Sequence, residues 1–445
     1  MKSSALKYAV LSTTLTICLA IIAFVPFHAF LTIWLSTAVG HYTALRLWKE
    51  VLLIIAALGA VYLFIFDGKV RSGTQSRKLI WVILSYILLT LISGLVAYYH
   101  HNVTAKAFGY GLIANTRFLI FFLVTWTVAL RTDRLKMGWW KIVVIPALIV
   151  SVFGFLQVTV LPNDFLKHFG YGPQTIAPYQ TINSNRDYVR IESTLRGVNP
   201  LGAYMAMLAT FFVVYIKFLS KKKFAIKMIA LGIAGLVTLT FSFSRSAWIG
   251  AVVSVLIAGV VAIRNRTRMI RSLIIIGIGS VLLLVIGIAL QNNTKFQNLV
   301  LHTDRTSKIR STSDGGHKTA IKNGVHDIAS QPLGRGVGTA GPASVHNNAK
   351  VRLAENYFIQ IGQEVGIFGL GLFLLIIGGV GYLLWVRRSD PLALSLFASL
   401  IGLSVVNLLS HAWADDTLAY VWWGLAGIAM AQPASKQAAV TSEKA

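Results

Sequence analysis

Three arginines next to apolar segments are the first residues in this 445-residue chain whose type and position could do chemistry. Arg190, Arg196 and Arg245 lie at or near the predicted outer ends of apolar helices. A charge costs about 2.5 to 3.5 kcal/mol at the bilayer centre and less toward the interface, so these positions suggest a counter-ion. The guanidinium fork suits phosphate oxygens, which favours a bound lipid diphosphate. The alternative is snorkelling, or a structural pair with Asp187 or Glu192.

Two glutamates are candidate general bases, in a chain with only 15 acidic residues. Glu355 and Glu364 flank the outer end of a predicted membrane helix. A carboxylate close to apolar surface can have its pKa raised, which makes it useful for removing a proton from a sugar hydroxyl. The alternative is an acid at a helix N-terminus, stabilised by the macrodipole, and residue types alone favour it. His346 and His317 in the same loop are the next candidates for the base.

Two further residue patterns give only weak evidence for a binding site. Gly336, Gly338 and Gly341 match G-x-G-x-x-G, but no strand precedes them and no βαβ unit follows, so a dinucleotide site is not expected. Asp415 and Asp416 could suggest a cation site, although an interfacial helix start explains two adjacent carboxylates equally well. No metal ion and no cofactor are therefore expected.

The elements that must position these residues are membrane helices. The chain is 56% hydrophobic and 13% charged, which is outside the range of soluble domains, and its single cysteine, Cys18, gives no disulfide framework. About twelve apolar runs have roughly the 17 to 25 residues that a membrane helix needs. They are Tyr8–Val25, Leu47–Phe66, Leu79–Tyr98, Ala114–Leu130, Lys141–Val160, Pro200–Phe218, Ala225–Phe243, Ser246–Ile263, Ser272–Leu290, Glu364–Trp385, Leu392–Leu409 and Asp416–Ala431. The first run continues through Pro26 and Phe27 without a cleavage site, which argues against a signal peptide.

The positive charge of the chain indicates its topology. The net charge of +26 would suggest a nucleic-acid partner in a soluble protein. Here the basic residues recur in every second short connection and in both tails, which is the positive-inside pattern with both termini in the cytoplasm. The charge also attracts anionic membrane lipids, and no nucleic-acid partner is expected.

The polar material collects on the other side of the membrane. We expect one integral membrane domain over residues 1–445, with two large extracytoplasmic loops at 161–199 and 291–363. The second loop is predicted to contain an amphipathic helix from Lys318 to Ser330, followed by a glycine-rich stretch. The predicted spans are almost devoid of internal charge, which is untypical of transporters, since these place charged or broken-helix sites near the bilayer midplane.

Four segments in series carry a resemblance to a known family. They read "RIESTLRGVNPLGAY", "TFSFSRSAWIGAVVSVL", "DIASQPLGRGVGTAGPAS" and "ENYFIQIGQEVGIFGLGLFL". In sequence, order and spacing they resemble the O-antigen ligase and O-antigen polymerase superfamily of bacterial membrane glycosyltransferases. The resemblance covers roughly Arg190 to Leu374 in detail and the other helices in hydropathy only.

The resemblance implies an all-α, GT-C-like multi-helix fold in the bacterial cytoplasmic (inner) membrane. It also implies a polyprenyl-diphosphate-linked oligosaccharide as donor, a glycan or lipid as acceptor, and transfer without a metal ion. Arginines of the first two segments hold the diphosphate in the family, which corresponds here to Arg190 or Arg196 and to Arg245. Family ligases commonly carry His-Asn where this chain has Glu355 and Asn356. A carboxylate can accept the same proton, and ligase and polymerase both stay open.

Two functions from different classes follow. The first is a glycosyltransferase that transfers or polymerises a lipid-linked glycan at the outer leaflet. The second is a secondary transporter or flippase for an anionic or lipid-linked substrate. The outer position of the polar residues favours the enzyme.

Overall fold

The computed structural model describes residues 2–73, 77–182, 185–216, 222–263, 313–348 and 351–431, together with isolated positions between 264 and 312. Its helices and strands are α1 Lys2–Phe24, α2 His28–Val39, α3 Tyr42–Arg46, α4 Trp48–Phe66, α5 Gly68–Gly73, α6 Arg77–Tyr99, α7 Ala105–Arg131, α8 Asp133–Thr159, β1 Gln180–Ile182, β2 Asn185–Arg190, α9 Val198–Ile216, α10 Lys222–Phe241, α11 Arg245–Val261, α12 Ser313–Ser330, α13 Tyr357–Val386, α14 Pro391–Leu409 and α15 Asp416–Met430. Short 3-10 helices lie at Val25–Phe27, Phe165–Phe169, Gly341–His346 and Ala412–Ala414.

Among the described residues, eight helical segments are long and apolar enough to cross a membrane. They are Ser4–Val39, Trp48–Phe66, Lys78–Tyr99, Ala105–Arg131, Asp133–Thr159, Val198–Ile216, Tyr357–Val386 and Pro391–Leu409. The prediction of a helical, polytopic membrane protein is confirmed. The predicted run Ser272–Leu290 lies almost entirely outside the described residues, and the last run forms the 15-residue helix α15. The number of twelve helices and the GT-C-like class stay predictions.

The chain packs as two compact units. The first comprises residues 1–149, 320–397 and 407–445, and the second comprises 150–319 and 398–406. This division into two units does not test the prediction that residues 1–445 form a single membrane domain.

The core of the first unit is built on α7 and α15. Every residue of α15 is buried, and the Trp423 ring lies against Phe118 and Phe122 at 5.1 and 5.8 Å between ring centroids. Gly424 faces the ring of Phe121, where a Cβ would approach its carbons to 2.5 Å. Small residues at such points let membrane helices approach closely, because association in lipid depends on packing.

A glycine-rich segment of the second predicted loop lies inside the first unit. Gly336, Gly338 and Gly341 have φ values of 97°, 90° and 63°, in the left-handed region that favours glycine. The backbone N–H of Gly336 donates to the carbonyl oxygen of Glu364 at 2.9 Å. α13 is interrupted at Gly366, where φ is 75°. Irregular backbone at membrane depth requires such internal hydrogen bonds. Close packing therefore accounts for the glycine pattern.

A charged cluster in the first unit joins the first turns of α2, α4 and α15 to Arg117, which lies in the middle of α7. The prediction that the spans are almost devoid of internal charge is therefore wrong for α7. Lys49 Nζ lies 3.1 Å from Glu50 Oε2 and 3.0 Å from Asp416 Oδ2. Arg117 pairs with Asp416 and lies 3.3 Å from Glu50 Oε1. His28 Nε2 lies 3.4 Å from Asp416. Opposite charges balance within this buried ion cluster, which limits the large penalty of removing each ion from water.

Among the described residues, the most extensive helix packing of the second unit is between α9 and α11. A Cβ on Gly202 of α9 would lie 2.8 Å from the side chains of both Ala247 and Ser244. Gly250 of α11 approaches the backbone of Gly402 in the same way. These contacts fix the first turn of α11, where Arg245 begins the helix.

Candidate active site

Arg190 is the last residue of β2 and is half-buried. β1 and β2 form an antiparallel hairpin in which Gln180 pairs with Arg190. The Arg190 Nε donates to the carbonyl oxygen of Ser242 at 3.0 Å, and Nη2 donates to Asn199 Oδ1 at 2.9 Å. Both acceptors are neutral. Within the described part of the chain, the structure therefore does not support a structural pair of Arg190 with Asp187 or Glu192.

The charge of Arg245 acts on Arg190. Burial, together with the positive charge of Arg245, lowers the pKa of Arg190 to about 10. Arg190 nevertheless keeps its charge at neutral pH. Two guanidinium groups thus repel each other across a partly buried space, and an anion between them would remove that repulsion.

The turn between α10 and α11 positions Arg245. Residues 242–244 make the whole connection, and Phe243 adopts a left-handed φ of 47°. The Ser242 N–H donates to the carbonyl oxygen of Thr238 at 3.1 Å, and Trp248 Nε1 donates to that of Leu239 at 3.0 Å. The predicted runs Ala225–Phe243 and Ser246–Ile263 leave only two residues between them, and the structure confirms that the connection is short.

The segment from Arg190 to Arg196 is fixed to α8 by hydrogen bonds of Ser193. The backbone N–H of Ser193 donates to Gln157 Oε1, and its hydroxyl donates to the carbonyl oxygen of Val150, both at 2.8 Å. Ser193 has a left-handed φ of 52°. Arg196 is exposed at the end of this segment, just before α9. The three arginines therefore lie in one unit, two of them on one short segment.

Glu192 is a residue that sequence reasoning assigned only as a structural partner of arginine. Its side chain is fully buried, and neither carboxylate oxygen has a hydrogen-bond partner among the described residues. Burial raises the pKa of Glu192 to about 8, so the group is mostly protonated at neutral pH. No signal in the local sequence distinguishes this residue from an exposed acid.

Glu355 lies at the start of α13 in the first unit. Asn356 caps this helix: its Oδ1 accepts from the Ile359 N–H at 3.0 Å, and its Nδ2 donates to the carbonyl oxygen of Leu408 at 3.0 Å. Glu355 is half-buried and has a left-handed φ of 53°. A non-glycine residue in this region costs on the order of 1 to 3 kcal/mol and is found disproportionately at functional sites.

Glu364 lies two turns inside α13, so it is not the acid at a helix N-terminus that was the alternative to a base, and its hydrogen bonds give it a different structural role. It is fully buried, and its carboxylate accepts from Asn115 Nδ2 at 2.7 Å, from the Gly338 N–H at 2.8 Å and from Gln360 Nε2 at 3.3 Å. These bonds join α7, the glycine-rich segment and α13. A carboxylate committed in this way positions elements, whereas a general base must reach the acceptor hydroxyl.

The two candidate histidines lie in different units. His346 ends the 3-10 helix Gly341–His346 and stacks on the ring of Tyr110 with centroids 4.6 Å apart. Burial, then the charges of Lys106 and Arg46, lowers the pKa of His346, so its imidazole is neutral at neutral pH. His317 is half-buried in α12, in the part that belongs to the second unit.

The described residues contain no group of three or more His, Cys, Asp or Glu that could hold a metal ion. Asp415 caps α15, because its Oδ1 accepts from the Leu418 N–H at 3.2 Å. Asp416 belongs to the buried ion cluster. Both aspartates are therefore committed to the helix start that was the alternative to a cation site.

A sequence profile described as O-antigen ligase matches residues 230–374. The matched region contains Arg245 and Glu355, while Arg190 and Arg196 lie before it. No curated protein matches the chain. The match contains three of the four sequence segments and confirms the resemblance that they indicate, and together with the apolar helices it indicates a bacterial membrane protein.

Proposed function

We propose, on the premise of the O-antigen ligase profile that matches residues 230–374, that this chain is a glycosyltransferase of surface polysaccharide synthesis. Its donor is an oligosaccharide linked to a polyprenyl diphosphate, and its acceptor is a glycan or a lipid. The reaction takes place at the outer leaflet of the bacterial cytoplasmic membrane.

The proposed reaction is a single displacement at the anomeric carbon of the donor sugar. The oxygen of the acceptor hydroxyl forms a bond to that carbon, and the bond from the carbon to the diphosphate oxygen breaks. The electron pair leaves with the polyprenyl diphosphate, and the hydroxyl proton passes to a base. Because a diphosphate is already a good leaving group, the site needs cations and a base more than a strong acid.

The environment of Arg190 is the observation that carries the proposal. Its guanidinium is half-buried, donates to two neutral oxygens and lies close enough to Arg245 for that charge to lower its pKa. Such an arrangement attracts an anion with several oxygens. Arg196, exposed at the end of the same segment, completes the proposed diphosphate site.

Glu355 is the proposed base. It is half-buried next to the helix cap Asn356, and its left-handed backbone is of the kind that proteins tolerate at functional positions. Asn356 supports it by fixing the start of α13 through two hydrogen bonds. Glu364 and His346 lie in the same unit, where Glu364 holds the surrounding backbone in place.

The test is reconstitution of the purified protein with a defined polyprenyl-diphosphate oligosaccharide, with release of polyprenyl diphosphate as the readout. Arg190→Ala and Arg245→Ala should each raise the donor KM about tenfold to hundredfold, because each removes a charged hydrogen bond. Arg245→Lys should recover part of the loss, since lysine keeps the charge without the fork. Arg186→Ala is the matched control, because Arg186 is an exposed arginine of the same strand.

Two results would count against the proposal. If both alanine variants bind and turn over the donor as the wild type does, the arginines have a structural role. If no lipid-linked donor loses its diphosphate in the presence of the wild-type protein, the chain is not a glycosyltransferase of this type.

A transporter or flippase is the second candidate, and the buried ion cluster is the observation in its favour. Transporters use charges inside the membrane domain to bind substrate or coupling ions. The same reconstitution, carried out in lipid vesicles, distinguishes the two functions. A flippase moves the intact lipid-linked donor across the bilayer, whereas the proposed enzyme cleaves it without requiring its passage.

A further inference from the structure

Four side chains from three elements of the first unit form a continuous stack. Tyr42 and Arg46 come from α3, Tyr110 comes from α7, and His346 comes from the 3-10 helix Gly341–His346. The Arg46 guanidinium carbon lies 5.6 Å from the Tyr42 ring centroid and 5.7 Å from that of Tyr110, within the range of cation–π attraction. His346 continues the stack on Tyr110 at 4.6 Å, with 29° between the ring planes. We call these four residues the aromatic–arginine stack.

Both ends of the stack are anchored. On one side, Lys49 of the buried ion cluster donates to the carbonyl oxygen of Arg46 at 2.8 Å. On the other, the Thr104 hydroxyl donates to the carbonyl oxygen of His346 at 2.8 Å, and the Thr104 N–H donates to Asn347 Oδ1 at 3.0 Å. The backbones that carry the stack are thereby fixed before any ligand arrives, which lowers the entropic penalty of binding.

The Tyr42, Tyr110 and Arg46 side chains contact one another through their ring faces, and their hydrogen-bonding capacity is left over for a ligand. Within the described part of the chain, the hydroxyls of Tyr42 and Tyr110 and the Arg46 guanidinium make no hydrogen bond to protein, and all four side chains are half-buried. Exposed Lys106 adds a second cation close enough to lower the pKa of His346. Neither Arg46 nor Lys106 has a carboxylate partner among the described residues.

This surface has the chemistry of a binding site for an acidic sugar. Ring hydroxyls of a glycan need hydrogen-bonding partners, the apolar C–H face of a sugar packs on aromatic rings, and an anionic substituent needs a cation. Arginine's fork satisfies a carboxylate or a phosphate with two parallel hydrogen bonds. All of these groups occur together here.

The aromatic–arginine stack is connected to the proposed base through the backbone. The N–H of Gly341, at the start of the 3-10 helix, donates to the carbonyl oxygen of Arg352 at 2.8 Å. Arg352 precedes Glu355 by three residues, so their Cα atoms lie at most about 11 Å apart. A glycan on the stack would therefore lie along the same segment that carries Glu355.

We propose that the aromatic–arginine stack, together with Lys106, is a glycan subsite that binds a sugar bearing an anionic group, either a uronate or a sugar phosphate. The role of this subsite in holding a substrate glycan rests on the proposed function. Binding of a glycan to the subsite does not itself require glycosyl transfer. Under this proposal, the glycan that the protein binds is an acidic one.

The test is binding to the full-length protein in phosphatidylcholine nanodiscs, measured by titration calorimetry. The probes are tetragalacturonate, maltotetraose phosphate and neutral maltotetraose. We expect at least one acidic probe to bind about tenfold or more tightly than the neutral one, and Arg46→Gln and Lys106→Gln each to remove most of that preference. Whichever acidic probe binds distinguishes the uronate from the phosphate. Tyr110→Leu should weaken all three probes.

Arg388→Gln is the matched control. Arg388 also lies over an aromatic ring, 4.1 Å from the Trp385 centroid, but it follows α13 at its far end. Its loss should leave binding unchanged. Lys106 is exposed, so Lys106→Gln tests the subsite even if Arg46→Gln unfolds the protein.

Three results would overturn the proposal. One is equal binding of acidic and neutral probes, and another is wild-type affinity in the folded Arg46 and Lys106 variants. The third is loss of probe binding in nanodiscs that contain phosphatidylglycerol, which would assign the stack to an anionic lipid headgroup. Failure of donor cleavage with normal probe binding would reject the proposed enzyme and leave the subsite standing.

Discussion

Two carboxyl groups in this protein, Glu355 and Glu192, have contrasting surroundings. Glu355 is half-buried at the start of α13, on a strained backbone, where an acceptor could reach it. Glu192 is enclosed, and its raised pKa keeps it mostly neutral near pH 7. The same residue type is therefore suited to accept a proton in one place and to hold one in the other.

Glu355→Gln tests the proposed base. Glutamine keeps the shape of the side chain and removes the proton acceptor, so turnover should fall about a hundredfold or more, the usual scale for a general base. Donor binding should change little, because the proposed diphosphate site is formed by the arginines. Single-turnover kinetics with the polyprenyl-diphosphate donor would separate the two steps. A folded Glu355→Gln protein with full transfer activity would exclude this role and direct attention to His346.

Glu355→His is the sharper variant. The resemblance implies a histidine at this position in family ligases, and histidine can accept a proton at neutral pH. We expect partial recovery relative to Glu355→Gln, with a pH–rate profile that moves toward the imidazole pKa near 6.5. Recovery without any change in the pH profile would indicate that the side chain acts sterically.

The burial of Glu192 predicts a pH-dependent stability. Its pKa rises from an ordinary value near 4.5 to about 8 on folding, so the folded state holds the proton more tightly than the unfolded state. The resulting stabilisation is complete below about pH 4.5 and is lost as the pH rises through 8, with a slope of at most about 1.4 kcal/mol per pH unit. The Tm of the wild type should fall across this window, and that of Glu192→Gln should fall less. Parallel curves for the two proteins would contradict the assignment.

At the level of elements, the glycine-rich segment and the break in α13 depend on each other. Gly338 donates to the Glu364 carboxylate, and the Ile367 N–H beyond the break donates to the carbonyl oxygen of Pro332 at 2.9 Å. Helix hydrogen bonds lost at Gly366 are thus replaced by bonds to the neighbouring segment. A pattern that resembles a nucleotide loop in the sequence is a packing device in the fold.

Gly338→Ala tests this dependence. Its φ of 90° is unfavourable for alanine, and a Cβ would lie 2.6 Å from the backbone of Ala107. We expect a loss of at least about 1 to 3 kcal/mol, seen as a lower Tm of the purified protein. Gly109→Ala on α7 is the control, because that position has open space and an ordinary helical backbone, and alanine should be neutral or slightly stabilising there. Equal Tm values for the two variants would show that the segment adapts.

At the level of the whole molecule, orientation in the membrane is the property on which the proposed function depends most. The arginines, Glu355 and the aromatic–arginine stack all belong to segments that the positive-inside pattern assigns to the outer side. A lipid-linked donor presented at the outer leaflet can meet them only if that assignment holds.

Single cysteines test the orientation. Ser72→Cys and Ser389→Cys should be shielded from an impermeant thiol reagent in intact cells, while Asn163→Cys and Asn348→Cys should react. All four positions are exposed, and native Cys18 is buried. Lysed cells, in which all four should react, provide the control. Labelling of Ser72→Cys and Ser389→Cys in intact cells would reverse the topology and remove the outer-leaflet reaction.

Most of the membrane architecture followed from the sequence, because hydropathy is a local property that a window of about 20 residues reveals. Eight of the described segments have the expected length and composition. The short turn before Arg245 and the helix in the second loop were also visible, since turn and helix signals are local. The start of α13 was misplaced by seven residues: Tyr357 to Gln363 are polar in part, but they are helical because Asn356 caps them.

What the tertiary structure alone decided concerns contacts between distant parts of the chain. Glu50 meets Arg117 across 67 positions, and Arg117 reaches the carbonyl oxygen of Ala414 across 297, so no local pattern could predict that the spans contain a balanced ion cluster. The burial of Glu192 depends in the same way on packing, which sets the solvent around a carboxyl group and therefore its pKa. Sequence determined which side chains could do chemistry. The fold decided which are enclosed, paired or open to a ligand, because burial and partnership are properties of three-dimensional neighbours.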